Sequence, residues 1–265
     1  MLKLKDVSKV FLKKTVDEVT ALDHIDLTVK EGDFVTIIGS NGAGKSTLLR
    51  IINGFCYPDS GQVELMGKDI THSPAHRRAR LMGSIEQDPG ASVCSSMSIE
   101  DNLAMASLRG RPRGLRVAVT GSKRKAFRVL LRDVGLGLEE RLSTAVGTLS
   151  GGQRQALALL MAAMTRPKVL LLDEHIAALD PKTAQQVMEI TRNLVVKDHL
   201  TTLMITHNMA EAIRWGDRLI MMNEGRIIMD IHGEEKRALT VADLTRKFHE
   251  VCDRELAVDR MLLSS

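Results

Sequence analysis

Short apolar or alternating runs open the chain, at Leu2 to Val7, Thr20 to Val29 and Phe34 to Ile38, and their lengths and period predict strands. Leu48, Leu49, Ile51 and Ile52 then recur at helical spacing, so the third strand leads through a loop into a helix. Pro58-Asp59-Ser60-Gly61 reads as a turn, and Val63-Glu64-Leu65-Met66-Gly67 as the edge strand of a hairpin. From Ser98 to Arg141 the pattern becomes helical. Ser98 with Asp101 resembles a capping box with Asp in place of Glu, opening a helix through Leu103, Ala106 and Ser107. A second helix, from about Ser122 to Val134, puts Phe127, Leu130, Leu131 and Val134 on one face. From Lys168 onward strand and helix alternate again, which calls for a parallel sheet covered on both faces. Beyond Thr240, a candidate N-cap, Leu244, Phe248, Val251 and Leu256 predict a last helix packed back on the core.

The loop after the third strand carries the chemistry. Gly39-Ser40-Asn41-Gly42-Ala43-Gly44-Lys45-Ser46-Thr47 fits the phosphate-binding P-loop pattern in full, between the strand and the helix that the mechanism requires. Its glycines let backbone N–H groups turn inward around phosphates, and the new helix aims the positive end of its dipole at them. Lys45 is placed to reach the β and γ phosphates of a nucleoside triphosphate, and Ser46 to offer its hydroxyl to Mg²⁺. Asp173 ends the apolar strand Val169-Leu170-Leu171-Leu172, so its carboxylate emerges at the C-terminal edge of the sheet, beside the phosphates, where it can hold the magnesium shell. Glu174, the next residue, points elsewhere and is the candidate general base for the attacking water.

Farther along stands Leu149-Ser150-Gly151-Gly152-Gln153, and here the sequence resembles the ATP-binding subunits of ABC transporters, whose signature this is. The family's other motifs follow in register: Gln87 in Ile85-Glu86-Gln87-Asp88 resembles the Q-loop, Val169 to Glu174 the Walker B strand, Ala178-Leu179-Asp180 the D-loop and His207 in Ile205-Thr206-His207-Asn208 the switch histidine. The likeness runs from about Leu4 to about Asp230. It implies an α/β fold, a P-loop NTPase core with a mostly parallel sheet, an N-terminal antiparallel β portion and an inserted helical subdomain. The expected division is an ATPase domain at 1–240, its helical subdomain at about 90–165, and a helical tail at 241–265.

The resemblance also implies an ATP- and Mg²⁺-dependent hydrolase in which Gln87 contacts the metal or the water and His207 donates to the γ-phosphate. Ser150, Gly151, Gly152 and Gln153 open a helix and form a second anion-binding start. In the family that start serves the ATP of a second copy of the chain, in a head-to-tail sandwich dimer. Asp180 would contact the partner's site, or cap the helix opened by Pro181, and both roles can hold. Phe11 is the candidate platform for adenine, or else a core residue at a strand end. Two departures stand out: Ile176 where the family often has a hydroxyl, and Glu86 where it more often has an aromatic residue.

Composition adds limits. A chain of 265 residues, 44% hydrophobic and 26% charged, is ordinary for a globular protein of one large domain, or one plus a subdomain. The longest apolar run, Ala156 to Met164, is half of the ~18 residues that a membrane span needs, and the N-terminus lacks the apolar run of a signal peptide. Cys56, Cys94 and Cys252 have neither paired nor metal-ligand spacing, which suits a reducing compartment. A cytoplasmic protein, peripheral on the inner face of the cell membrane, is expected. Eight bases and no acid lie between Arg109 and Arg128, and without them the net charge of +4 would be −4. They fall in the expected helical subdomain, where they either attract anionic headgroups or simply keep a solvated loop soluble.

With no repeat to suggest a fused pair, the reading is one transport cassette driving a separate integral membrane permease, in a system with an extracytoplasmic solute-binding protein and no nucleic acid. Leu157 to Ala162 and Thr202 to Met209 resemble bacterial importer cassettes for amino acids or related small solutes. The alternative is a soluble ABC-type ATPase acting on nucleic acid or ribosomes, supported only by the basic stretch.

Overall fold

The computed structural model describes residues 1–111 and 117–250. Arg113, Arg116, Val251, Cys252, Leu256 and the rest of the expected tail beyond residue 250 lie outside them.

The N-terminal strands β1 (Leu2–Phe11) and β2 (Val19–Val29) pair antiparallel, burying Leu2, Leu4 and Val7 of one and Leu22, Ile25, Leu27 and Val29 of the other. After β3 (Phe34–Gly39) and the P-loop helix α1 (Lys45–Asn53) come β4 (Ser60–Leu65) and the two-residue β5 (Lys68–Asp69). The short helix α2 (Ala75–Arg78) leads into β6 (Met82–Ile85). Helices α3 (Ile99–Ser107), α4 (Gly121–Val134) and α5 (Gly151–Ala163) precede β7 (Val169–Asp173), α6 (Pro181–Asp198) and β8 (Thr201–Ile205). The chain continues through α7 (Met209–Arg214), β9 (Arg218–Asn223), β10 (Arg226–His232) and α8 (Gly233–Ala238), and residues 241–250 are helical.

Two sheets result, one ordered β2-β1-β4-β5 and the other β10-β9-β3-β8-β7-β6. In the second, β9, β3, β8, β7 and β6 run parallel and β10 antiparallel to β9. Helix α1 lies between the sheets: its Leu48, Leu49, Ile51 and Ile52 share one buried cluster with Leu4 and Leu27 on one side and Ile37, Leu203 and Ile220 on the other. The opposite face of the second sheet packs Leu170, Leu172 and Met204 against Val187, Met188 and Val195 of α6. From Ala156 onward α5 is apolar all round because it serves two cores. Leu157, Ala158 and Leu160 face Leu103 of α3 and Phe127 and Leu131 of α4, while Leu159, Ala162 and Ala163 face the sheet.

The predicted edge strand differs from β4, which pairs with β1 on one side and β5 on the other. A two-residue strand is too short to carry a pattern of its own. At α3 the Ser98 hydroxyl accepts from the Asp101 N–H at 3.2 Å, but the Asp101 carboxylate takes the Ser98 hydroxyl proton at 2.5 Å and not the backbone N–H. Asp is one methylene shorter than Glu and does not reach back. In the final helix the Thr240 hydroxyl accepts from the Asp243 N–H, and Leu244 is buried beside Ile38 and Ala212, with Phe248 packed against them.

Arg78 holds the far end of the P-loop helix. Only 2% exposed, it donates from Nη1 to the carbonyls of Ile51 (2.6 Å) and Ile52 (2.8 Å), from Nε to Ser73 (2.7 Å) and from Nη2 to Ile70 (2.5 Å) and Thr71 (2.9 Å). The first two are last-turn carbonyls at the negative end of the helix dipole, and Ile51 also accepts from the Gly54 N–H at 3.3 Å. Arg78→Met would remove all five of these hydrogen bonds from a buried site, and is expected to lower unfolding free energy by on the order of 3 kcal/mol in urea titration. A change under about 0.5 kcal/mol, the scale of an ordinary surface substitution, would mean that water replaces the guanidinium.

Candidate functional site

The P-loop takes its shape from contacts that only glycine permits at two positions. A Cβ on Gly39 would lie 2.1 Å from the Met222 carbonyl oxygen, and Gly44, at φ +93°, would place one 2.1 Å from that of Ala21. The loop therefore sits tight against β9 and β2 while α1 points into the cleft above it. Lys45 is buried, and its Nζ donates to the carbonyls of Gly39 and Ser40, both at 2.8 Å. Burial pulls its pKa down, opposed by the fields of Glu174 and Asp173.

Strand β7 delivers its last residue to the same place. The Ser46 hydroxyl donates to Asp173 Oδ1 at 3.3 Å. Burial raises the Asp173 pKa, with the Ser46 hydrogen bond acting the other way. Glu174 follows with φ +44°, a left-handed turn that redirects its side chain away from Asp173's course. Its Oε2 accepts from Gln87 Nε2 at 3.2 Å and lies 3.6 Å from His207 Nδ1. Residues from three separate strand ends thus meet at one carboxylate.

A cleft of about 660 Å³ is lined by Phe11, Val19, Asn41 to Thr47, Gln87, Glu174 and His207. Phe11 forms one wall and is 40% exposed, so it is no core residue, and Val19 beside it is 53% exposed. Apolar surface at that end, and the Lys45 ammonium and the Ser46 and Thr47 hydroxyls at the other, suit a base and a triphosphate. Mg²⁺ fits the donor set as well: Ser46 and Asp173 offer adjacent hard oxygens, while no group of three or more metal-ligating side chains exists among the described residues. A magnesium ion bound chiefly through nucleotide phosphates and water needs no such cage.

The signature residues stand elsewhere. None of Ser150, Gly151, Gly152 or Gln153 lines that cleft. Ser150 and Gln153 form a reciprocal capping box, each accepting from the other's backbone N–H at 3.2 Å. A Cβ on Gly152 would lie 2.1 Å from Thr183 Cγ2, so the start of α5 is pressed against the start of α6. Asp180 caps α6 by accepting from Thr183 N at 3.1 Å, as the Pro181 pattern predicts.

Behind Glu174 lies a residue that the sequence pattern does not single out. His175 is buried, with Nε2 3.3 Å from Thr191 Oγ1. The Thr191 hydroxyl spends its proton on the Val187 carbonyl at 2.8 Å, so His175 must donate from Nε2. Burial drives its pKa down to about 4 and keeps the ring neutral. Ile176 is buried in the cluster of Ile85, Leu172 and Trp215, which explains the absent hydroxyl, and Glu86 is exposed. No helix among the described residues is long and apolar enough to cross a membrane.

A P-loop between β3 and α1 and the acidic end of β7 on this mixed fold define a P-loop nucleoside triphosphatase. The family model described as ABC transporter matches residues 22–177, more than half of the chain. A tyrosine transport ATP-binding protein of Clostridioides difficile is 42% identical over 248 residues, covering 94% of this chain and 98% of that protein. The spermidine/putrescine import ATP-binding protein PotA of Mesoplasma florum is 38% identical over 230 residues, 86% of this chain and 60% of that one. Among solved structures, a dimeric ATP-binding cassette in a post-hydrolysis state, bound to ADP and Pi, superposes with a TM-score of 0.74 at 28% identity, over 88% of this chain and 98% of that one. The chain belongs to the ABC transporter family, as one of its ATP-binding, ATP-hydrolysing cassettes.

Proposed function

We propose that this chain is the motor subunit of a bacterial importer, a cytoplasmic ATPase on the inner face of the membrane that pairs with itself and drives a separate permease fed by a solute-binding protein. The observation that carries the reading is the split site: Lys45, Ser46, Gln87, Glu174 and His207 line one cleft, with Asp173 joined to it through Ser46, whereas the helix start at Ser150 to Gln153 does not line it. Two copies placed head to tail would bring the partner's signature over each bound ATP. Residues 1–240 form the ATPase domain in this reading, with a helical subdomain at about 90–165.

Each residue then has a task. The P-loop N–H groups from Gly39 to Thr47 and the Lys45 ammonium hold the phosphates, and Phe11 stacks on adenine. Ser46, Asp173 and Gln87 would hold Mg²⁺, which would supply charge neutralisation for the triphosphate. Glu174 takes a proton from the attacking water, Gln87 orients that water, and His207 donates to the γ-phosphate. Hydrolysis removes the anion that joins the two copies, and the dimer opens.

The solute is a small one, with an amino acid the favoured class. Support comes from the 42% identity, over nearly all of its length, to a protein named for tyrosine transport. A polyamine-import relative is 38% identical over a smaller share of its own length.

Ser150→Arg tests the composite site. The variant is expected to bind ATP as a monomer with unchanged affinity while losing ATP-driven dimerisation and hydrolysis. Mixed with Lys45→Ala chains, it should regain some activity through one competent site, built from its own P-loop and the other chain's signature. The reading fails if hydrolysis by dilute protein scales linearly with concentration and Ser150→Arg leaves it unaltered.

A further inference from the structure

His207 does not hold its own place. Its side chain is 61% exposed, so the position of the ring beside Glu174 is inherited from the backbone between Thr206 and Asn208 and from helix α7, which starts two residues later. A six-residue helix is not stable by itself. The start of α7 is tied locally: the Asn208 side chain accepts from the N–H groups of Ala210 (2.9 Å) and Glu211 (3.2 Å), and the Thr206 hydroxyl donates to Glu211 Oε2 at 2.8 Å. Its middle is tied to β3, where the Thr36 hydroxyl donates to the Ala212 carbonyl at 3.0 Å.

The far end is held from a distant part of the chain. Lys236, on α8, is 3% exposed, and its ammonium donates to the carbonyls of Trp215 and Gly216, the latter at 2.7 Å. These oxygens lie just past the last turn of α7, where the helix dipole is negative. The ammonium is paired with no carboxylate among the described residues; Asp217 alone favours its charged form through its field, against burial, which lowers the pKa to about 8. Burying a lysine without a counter-ion is costly, and the two main-chain carbonyls are what offset it here. The helix after α8 completes the seat: Leu244 and Phe248 pack with Met209, Ala212 and Ile213, and the Thr245 hydroxyl lies 3.6 Å from Met209 Sδ.

We propose that Lys236 is a positioning residue for His207, fixing the C-terminal end of α7 so that the histidine stands at the γ-phosphate. The inference rests on the role given to His207 above. It makes the segment from His232 to 250 part of the ATPase machinery, although that segment lines none of the nucleotide cleft.

A double-mutant cycle on the full chain tests it, with kcat, KM for ATP and melting temperature measured for Lys236→Met, His207→Ala and the pair. Lys236→Met should lower kcat about tenfold with little change in KM, a displaced group costing turnover more than binding. In the His207→Ala background the same change should cost less than about twofold, because the contact that Lys236 serves is already gone. Lys236→Arg, which keeps a cation and donors to both carbonyls, should restore most of the wild-type kcat. If Lys236→Met does not accumulate as folded protein, Lys236→Gln, which keeps a neutral N–H donor group on a shorter stem, goes through the same cycle. If the two losses multiply, or if Lys236→Met lowers only the melting temperature, Lys236 is structural and the inference is overturned while the role of His207 stands. If His207→Ala leaves kcat unchanged, both fail together.

Discussion

Glu174→Gln is expected to bind ATP as the unmutated protein does and to lose on the order of 10²–10⁴-fold in turnover, the range of a general base. The substitution is nearly isosteric. The new amide oxygen can still accept from Gln87 Nε2, now 3.2 Å from the carboxylate, so the cleft keeps its shape. What the amide cannot do is take a proton from water. A consequence follows for assembly: if two copies close on ATP and part when it is hydrolysed, the variant should remain closed. Sedimentation velocity with ATP and Mg²⁺ should show a persistent dimer at concentrations where the unmutated protein is mostly monomeric. Normal hydrolysis by Glu174→Gln would assign the base to another residue, and loss of turnover without a lasting dimer would separate the chemistry from the assembly proposed here.

The parts of the site that are legible in the sequence are those in which one short segment carries both the chemistry and its support. The P-loop is such a segment: its glycines, Lys45 and Ser46 are contiguous, and the strand and helix on either side show in the apolar pattern. The signature is another, since Ser150 and Gln153 cap their own helix. Convergence is harder. Gln87, Glu174 and His207 come from three strand ends, and only the family resemblance brings them together in the sequence, whereas in the structure they meet at one carboxylate oxygen.

What stays hidden is polar support buried between distant segments. Arg78 looks like one base among several in Arg77-Arg78-Ala79-Arg80, yet it is fully enclosed and caps the P-loop helix. Lys236 looks like a solvated helix residue between Glu235 and Arg237. His175 looks like part of a turn, and the threonine that fixes its tautomer is 16 residues away. In each case the partner is a main-chain carbonyl or a hydroxyl on another element, and such partners leave no periodicity or charge pattern to read. The Asp101 carboxylate, which accepts from the Ser98 hydroxyl and not from its N–H, shows the same limit on a smaller scale, because residue type suggests a cap but one methylene decides which atom reaches.

Lys45→Ala carries the other large expectation, which is loss of ATP binding with the fold intact. In the cleft the side chains able to carry positive charge are Lys45 and His207, and they face Glu174 with Asp173 close behind. Removing the lysine leaves two carboxylates near the place where a triphosphate must sit, so the change is from attraction to net repulsion. At an effective dielectric constant near 20, two unit charges about 4 Å apart interact by about 4 kcal/mol. A loss of about 3–4 kcal/mol corresponds to roughly 10²–10³-fold in dissociation constant. Stability should move the other way or hardly at all. The ammonium is desolvated and satisfied only by the Gly39 and Ser40 carbonyls, which sit at the edge of an open cleft where water can replace it. Two measurements separate these effects: titration with a fluorescent ATP analogue, and thermal unfolding with and without ATP and Mg²⁺. The expected result is a melting temperature close to that of the unmutated protein without nucleotide, together with loss of the rise that saturating ATP produces by binding the folded state. An unchanged affinity would mean that the phosphates are held without Lys45, and the placement of the nucleotide in this cleft would have to be abandoned.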